Sequence, residues 1–397
     1  MRFRHKLVTW IVYPMFKVLA KVKYHAEVER FSGAGKRNWL IVSNHQTDFD
    51  QFFIGLSFPA PVYYVAMEDL FSNGWISKVI RWLVAPIPIL KASTDLSTVR
   101  NCMKIAKEGG TIALFPEGNR TYSGKTCYIK PGVASLAKAL GLPIAVYRIE
   151  GGYGVKPRWA DKCRRGPMKA GVRRVIEPEE YKNMTKEELH SLICRELYVD
   201  ETENRAEYKS RRSAEGLERV LYVCPDCGLS EFKTEKDTFS CMKCGKEYVY
   251  QPDMRIVQSG RKTRFSTVAE WYEYQETYVR GLDLSPYADT PVYSDRAGLY
   301  EIIINKKKIL RTKNAEVSIF ADRMSANSGA VTLKMDFDDI RAMACIAGHK
   351  LNIFYQDKVY QLKGGKHFNA LRYCNIFYHA KFIKESHSDG EFQFLGL

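Results

Sequence analysis

The sequence predicts an α/β fold, a sandwich on a mostly parallel sheet, followed by two smaller pieces, one cysteine-bearing and one β-rich. Three observations lead there. Between residue 38 and about 180, apolar strand-like runs alternate with helix-spaced stretches, the pattern of buried strands joined by crossover helices. Two Cys-x-x-Cys pairs lie between 224 and 244. Beyond Pro291 short β-rich runs take over.

The 397 residues suffice for two or three domains, and a hydrophobic content of 45% supports globular cores rather than disorder. A net charge of +16 calls for a polyanionic neighbour: nucleic acid, an anionic membrane or phosphorylated substrates. Six of the ten cysteines are scattered, which fits a reducing cytosol better than a disulfide scaffold.

The chain opens with Arg2, Arg4, His5 and Lys6, then an apolar run from Leu7 to Ala20 broken by Pro14 and Lys17. The run is too short and interrupted to span a bilayer, and no small-residue cleavage site follows it. Two readings stay open, a core helix or a segment lying in the membrane interface. Trp10, Tyr13 and Phe16 between flanking cations favour the interface. Lys17, Lys21 and Lys23 would then face anionic lipid, or else simply solvent.

Residues 39–44 (WLIVSN) and 62–67 (VYYVAM) read as strands. Leu96, Val99, Cys102 and Ile105 have helical spacing, stopped by Gly109-Gly110 before the buried strand of 111–118 (TIALFPEG). Residues 133–140 form a short helix ended by Gly141, and 142–151 the next strand. Thr185 and Glu188 make a capping box for a helix through about Leu197. The charged stretch 200–219 reads as a linker or solvated helix.

Residues 41–50, IVSNHQTDFD, raise the first chemical question. A loop leaving a strand end is a usual place for catalytic groups in parallel-sheet folds. His45 can take a proton from a hydroxyl near neutral pH if its other ring nitrogen is oriented. Asp50, five residues on, can loop back to supply that hydrogen bond. Alone, the pair reads more readily as a capping or buried polar histidine. A second strand end carries Phe115-Pro116-Glu117-Gly118-Asn119-Arg120-Thr121. Gly118 permits a tight turn, and Arg120 offers a planar fork for a phosphate. Glu117 would hold that fork or bind a substrate hydroxyl; the plain alternative is a surface ion pair.

Together these residues resemble the glycerophospholipid acyltransferases. NHQTDFD (44–50) is similar to that family's Asn-His-x-Ser/Thr-x-x-Asp motif, and FPEGNRT (115–121) to its Phe-Pro-Glu-Gly-Thr-Arg-Ser motif. The trailing segment 128–152 resembles the family's Lys-x-Gly and Pro-Ile-x-Pro-Val stretches, and the nearest type is the PlsC-like 1-acylglycerol-3-phosphate acyltransferase. The likeness covers roughly residues 1–200. It implies direct acyl transfer from acyl-CoA or acyl carrier protein to a lysophospholipid, most simply 1-acylglycerol 3-phosphate, giving phosphatidate. His45 would be the base, Asp50 its orienter and Arg120 the phosphate ligand. Glu117, Gly118 and Lys130 would complete the substrate site. Asn119 and Thr121 depart modestly from the motif. Lys91 stands where an arginine is common, and its point charge leaves the acceptor's identity open.

Cys224, Cys227, Cys241 and Cys244, with thirteen residues between the pairs and a glycine after each, have the spacing of a zinc ribbon. Metal would hold so small a segment folded. A rubredoxin-like iron site or a pair of redox motifs stays open. Glu231, Glu235 and Asp237 beside the ribbon argue against nucleic acid. Thr267 and Glu270 suggest another capping box, for an aromatic-rich helix ended by Gly281.

Five β-runs (300–304, 316–320, 331–337, 351–355 and 358–362) and a closing helix at about 368–384 resemble, in architecture only, a PH- or GRAM-like domain. Lys306-Lys307-Lys308 would touch anionic lipid or merely solvent. The expected layout is an acyltransferase domain over 1–205, a zinc ribbon over 206–255, a helical linker over 256–290 and the β domain over 291–397. Such a protein would lie peripherally on the cytoplasmic face of the cell membrane. The rival readings are a zinc-ribbon nucleic-acid binder and a lipid-binding adaptor with an inactive acyltransferase domain.

Overall fold

The structure, a computed structural model, describes residues 3–35, 37–58, 60–67, 71–72, 74–89, 96–258, 263–304, 306–346 and 348–385. The chain divides into two compact units, one of residues 1–71, 75–158 and 162–210, the other of 72–74, 159–161 and 211–397.

The first unit runs α1 (Phe3–Lys23), β1 (Ala26–Val28), β2 (Leu40–Ser43), α2 (Asp50–Ser57), β3 (Val62–Met67), α3 (Trp75–Val84), β4 (Ile87–Ile89) and α4 (Leu96–Lys107). It continues with β5 (Thr111–Leu114), α5 (Gly132–Leu140), β6 (Ile144–Glu150), α6 (Gly152–Val155), β7 (Met168–Ile176), α7 (Pro178–Tyr181) and α8 (Lys186–Leu197). Its seven strands form one sheet in the order β1-β7-β6-β2-β5-β3-β4. Every neighbouring pair is parallel except β6 with β7. The expected α/β fold with a mostly parallel sheet is therefore present.

β2 lies near the middle and is buried along its whole length, which is why its sequence is a continuous apolar run rather than an alternating one. Leu40, Val42, Ile112, Ile144 and Val146 from the sheet share one core with Val133 and Ala137 of α5 and Leu189 and Ile193 of α8. Gly141, at φ 61°, ends α5 with its N–H on Ala137 O. The Thr185–Glu188 capping box opens α8 as its sequence indicates.

The stretch 200–219 is not a solvated linker. Glu201, Tyr208, Ser213, Ala214, Leu217, Glu218 and Arg219 are buried. Tyr208 lies against Gly154 and Gly166, where an added Cβ would come within 2.2 and 2.3 Å of its ring. The charged residues between these anchors disguise them.

In the second unit β8 (Val223–Cys224) and β9 (Gly228–Leu229) make a small hairpin. β10 (Phe232–Glu235), β11 (Thr238–Cys241), β12 (Glu247–Tyr250) and β13 (Ile256–Val257) form an antiparallel sheet. This ribbon does not depend on itself alone for a core. Trp271 of α9 (Val268–Arg280) packs on Phe232, Phe239 and Tyr248, with ring centroids 5.6, 5.6 and 5.0 Å away. Thr267 caps α9, but the Glu270 carboxylate turns to Ser266 instead of closing a box.

β14 (Tyr293–Ile303), β15 (Lys307–Ile319), β16 (Arg323–Asn327), β17 (Thr332–Asp336), β18 (Ile340–Ile346), β19 (Lys350–Tyr355) and β20 (Lys358–Gly364) form a second seven-stranded sheet. Its order is β17-β16-β15-β14-β20-β19-β18, antiparallel throughout. The closing helix α10 (Ala370–Glu385) packs on β18, with the Tyr378 hydroxyl donating to Met343 O at 2.7 Å.

Candidate active site

β2 and β5 are parallel neighbours, with Val42 opposite Leu114, so the chain leaves both strands at the same edge of the sheet. The two loops that follow are stitched together. Thr121 N–H donates to His45 O at 3.1 Å. Glu117 accepts the His45 N–H on Oε1 and the Cys127 N–H on Oε2, each at 2.6 Å. The Phe115 ring stacks on the His45 imidazole, centroids 4.2 Å apart. Asn44 ties the first loop to β6 by donating to Ile149 O and accepting from Ile149 N–H, both at 2.8 Å.

Asp50 opens α2 and is fully buried. Its Oδ2 lies 2.7 Å from His45 Nδ1 and also accepts the N–H groups of Gln46 (2.7 Å) and Thr47 (2.9 Å). Its Oδ1 accepts the Thr47 hydroxyl at 2.5 Å. A carboxyl surrounded by donors on both oxygens is an acceptor-only carboxylate, so Nδ1 of His45 carries the proton and Nε2 keeps its lone pair. Nε2 has no hydrogen-bond partner among the described residues. Burial pushes the His45 pKa below its ordinary value; Asp50 opposes this, and the Arg120 and Arg158 guanidiniums add to it. The imidazole is thus neutral at pH 7, the form that accepts a proton.

The two guanidiniums come from opposite ends of the unit's sequence logic. Arg120 belongs to the second loop and makes no ion pair among the described residues. Arg158 follows the turn after β6; it is buried, lies over the Tyr122 ring at 4.1 Å and donates to Arg120 O at 3.1 Å. Burial and Arg158 lower the Arg120 pKa, while Asp48 and Asp50 raise it. The nearby Asp48 carboxylate already accepts the Tyr24 hydroxyl at 2.8 Å.

Of the residues singled out in the sequence, His45, Asp50, Glu117 and Arg120 come together. Glu117 has a different place from the one expected. Both its oxygens are taken by backbone N–H groups, and it is buried, with burial pushing its pKa up to about 8. It ties the loops to each other rather than waiting for a hydroxyl or holding Arg120. Gly118 is exposed at φ 70°, the turn conformation that suits glycine. Lys130 precedes α5, part-buried and with its pKa lowered by burial. Lys91 lies outside the described residues. Arg158 went unread in the sequence, since its only signal is a cation beside an aromatic, Arg158-Trp159, after a strand and turn.

In the second unit the sulfurs of Cys224, Cys227, Cys241 and Cys244 all lie within 4.8 Å of one another. Those of Cys224 and Cys244 are 3.9 Å apart, against roughly 3.8 Å for the edge of a tetrahedron with Zn–S bonds of about 2.3 Å. Gly228 and Gly245, at φ 68° and 72°, turn the chain after each pair. The thiols differ: burial raises Cys224, the neighbouring Cys244 raises Cys227, and only at Cys241 do the Ser230 hydroxyl and the N–H groups of Cys244 and Lys243 outweigh burial and bring the pKa to about 7. Donors aimed at sulfur favour the thiolate that a metal needs. The four residues fit a tetrahedral metal ion.

Residues 21–150 match the family model described as Acyltransferase. A 1-acyl-sn-glycerol-3-phosphate acyltransferase of Bacillus subtilis is 22% identical over 170 residues, 42% of this chain and 82% of that protein. A chloroplastic one from Brassica napus is 26% identical over 140 residues, 34% of this chain and only 38% of the plant protein. One from Pseudomonas aeruginosa is 26% identical over 168 residues, 40% of this chain and 63% of that protein. The crystal structure of the 1-acyl-sn-glycerophosphate acyltransferase PlsC from Thermotoga maritima overlaps with a TM-score of 0.40 at 23% identity, over 50% of this chain and 80% of that one, too loosely to carry more. Residues 21–150 are therefore similar in sequence to the glycerophospholipid acyltransferases.

Proposed function

We propose that the protein transfers a fatty acyl group from an acyl thioester, acyl-CoA or acyl carrier protein, to the free hydroxyl of 1-acylglycerol 3-phosphate, giving phosphatidate. The observation that carries this is a neutral, oriented imidazole close to a guanidinium without an acidic partner among the described residues. His45 Nε2 takes the hydroxyl proton while Asp50 steadies the imidazolium. The oxygen attacks the thioester carbonyl carbon, the C–S bond breaks, and the leaving thiolate takes the proton back from His45. General-base help of this kind is worth about 10²–10⁴-fold. Arg120 holds the acceptor's phosphate, with Arg158 behind it and Lys130 as a further cation. Glu117 and Asn44 position the loop that carries the base.

Access to such a substrate comes from the membrane surface. Leu7, Ile11, Met15, Val18 and Val22 of α1 form an exposed stripe at helical spacing. Trp75, Val79 and Trp82 repeat the pattern on α3, which packs against α1. Among the described residues no helix is long and apolar enough to cross a membrane. The two stripes lie in the interface, with exposed Lys21 and Lys23 at the end of α1 toward anionic headgroups, on the cytoplasmic face. The four cysteines hold one Zn²⁺ in a structural role, and the seven-stranded sheet with α10 is a PH/GRAM-like module.

The test is acyl transfer from labelled acyl-CoA to a panel of lysolipids, with product headgroups identified. Phosphatidate should be the main product, and His45→Ala should abolish it while leaving the circular dichroism spectrum unchanged. Full activity in that variant would remove the mechanism.

A further inference from the structure

Gln46 follows His45 directly, and its N–H donates at 2.7 Å to Asp50 Oδ2, the oxygen that also holds His45 Nδ1. The Gln46 side chain is buried and engaged at both ends of its amide. Nε2 donates to Glu201 Oε1 at 2.9 Å, and Oε1 accepts the Tyr153 N–H at 3.0 Å. The fit is close: a Cβ added to Gly152 would stand 2.7 Å from Gln46 Oε1 and 3.0 Å from Thr47 Cγ2. With its amide held in this way, Gln46 cannot turn its backbone N–H off Asp50 without giving up buried hydrogen bonds.

Glu201 is the acid at the far end of this tie. It lies beyond residues 21–150, the stretch similar to the acyltransferases, and in the charged segment that reads as a linker. It is buried, and donors meet both its oxygens. Oε1 accepts Gln46 Nε2 and, at 2.6 Å, the Gly151 N–H; Oε2 accepts Asn204 Nδ2 at 3.0 Å. Burial pushes the Glu201 pKa above its ordinary value, against the pull of those donors. Its main chain is fixed on the loop that follows β5: the Glu201 N–H donates to Gly124 O at 3.1 Å, and the Thr126 N–H to Val199 O at 2.9 Å. One buried carboxyl thus joins three pieces of the first unit, the second loop by its main chain, the end of β6 through Gly151 and the loop of the base through Gln46.

We propose that Glu201 is a positioning residue for the base: by gripping Gln46 it keeps the Gln46 N–H on Asp50, and so holds Asp50 and the His45 imidazole in their mutual geometry. The inference rests on the reading of His45 as general base. Glu201 acts through Gln46 alone, and small displacements of a reacting group are costly in rate.

Four variants of the full-length protein separate this role from plain stability. Glu201→Met keeps the side chain's length and removes its acceptors. Glu201→Gln keeps one acceptor oxygen, enough for Gln46 and Gly151. Gln46→Met cuts the same tie from the other side and leaves Glu201 in place, which serves should Glu201→Met fail to fold. Asn204→Ala removes a donor to Glu201 without touching Gln46. Two readouts are taken: kcat and KM for acyl transfer, and the proton NMR resonance of the His45 Nδ1–H, identified by its absence in His45→Ala. In both methionine variants kcat should fall about tenfold or more with KM within about twofold, and the resonance should shift or broaden. Glu201→Gln should recover most of kcat and the resonance, and Asn204→Ala should lower the melting temperature alone. An unchanged resonance and kcat in the methionine variants, or an equal change in Asn204→Ala, overturns the proposal. A wild type without acyl transfer would end the proposed function, and the resonance by itself then decides the tie.

Discussion

His45 sits between opposing influences, and their balance makes a prediction about pH. Burial, Arg120 and Arg158 lower its pKa, while Asp50 raises it. In the proposed mechanism the neutral form is the base, so activity should be lost as pH falls through the depressed pKa, and the acid limb of kcat/KM should lie below about 6.5. Taking away a positive neighbour makes protonation easier. Arg158→Gln should therefore move the acid limb to higher pH, as read from a kcat/KM profile; a limb that stays put would mean that this charge does not reach the imidazole. The His45–Asp50 pair was legible in the sequence because its spacing is local. Arg158 was not, because it reaches Arg120 from 38 positions away along the chain, through the fold alone.

At the scale of elements, adjacency of β2 and β5 brings the two loops together, and Glu117 holds them. Its two oxygens serve two different loops. A glutamine has one acceptor oxygen, so Glu117→Gln leaves one buried N–H without a partner, at a cost of about 1–3 kcal/mol. Thermal unfolding should reveal that loss, and kcat should fall by roughly tenfold, about 1.4 kcal/mol in the barrier, with little change in KM if the strap acts on the base rather than the phosphate. The strands themselves were readable wherever apolar residues ran together, as in β2, β3 and β5. β16 escaped because its buried residues, Met324 and Ala326, alternate with serine, arginine and asparagine and carry little bulk. The stretch 200–219 misled for the reverse reason: its charges are conspicuous, whereas its fit to the fold rests on Tyr208 meeting glycines far away in the chain.

In the molecule as a whole, the cysteine ribbon, α9 and the C-terminal sheet belong to one compact unit. Arg372 of α10 pairs with both Glu231 beside the ribbon and Asp295 of β14, so side chains link the ribbon to the sheet. Metal removal should consequently disturb more than the ribbon. A strong chelator, or Cys241→Ser, should lower the melting temperature of the second unit, and mass spectrometry of the untreated protein should find about one zinc per chain. An unchanged melting curve after complete chelation would argue that Trp271 and its aromatic neighbours suffice without metal.

The central claim is that one site joins a base to a phosphate ligand. It is tested most directly by measuring kcat/KM for 1-acylglycerol 3-phosphate and for the same monoacylglycerol without its phosphate, in the wild type and in Arg120→Ala. The wild type should favour the phosphorylated acceptor, and Arg120→Ala should reduce that preference on the order of 10²-fold while transfer to the neutral acceptor survives. A variant that keeps the full preference would contradict the account.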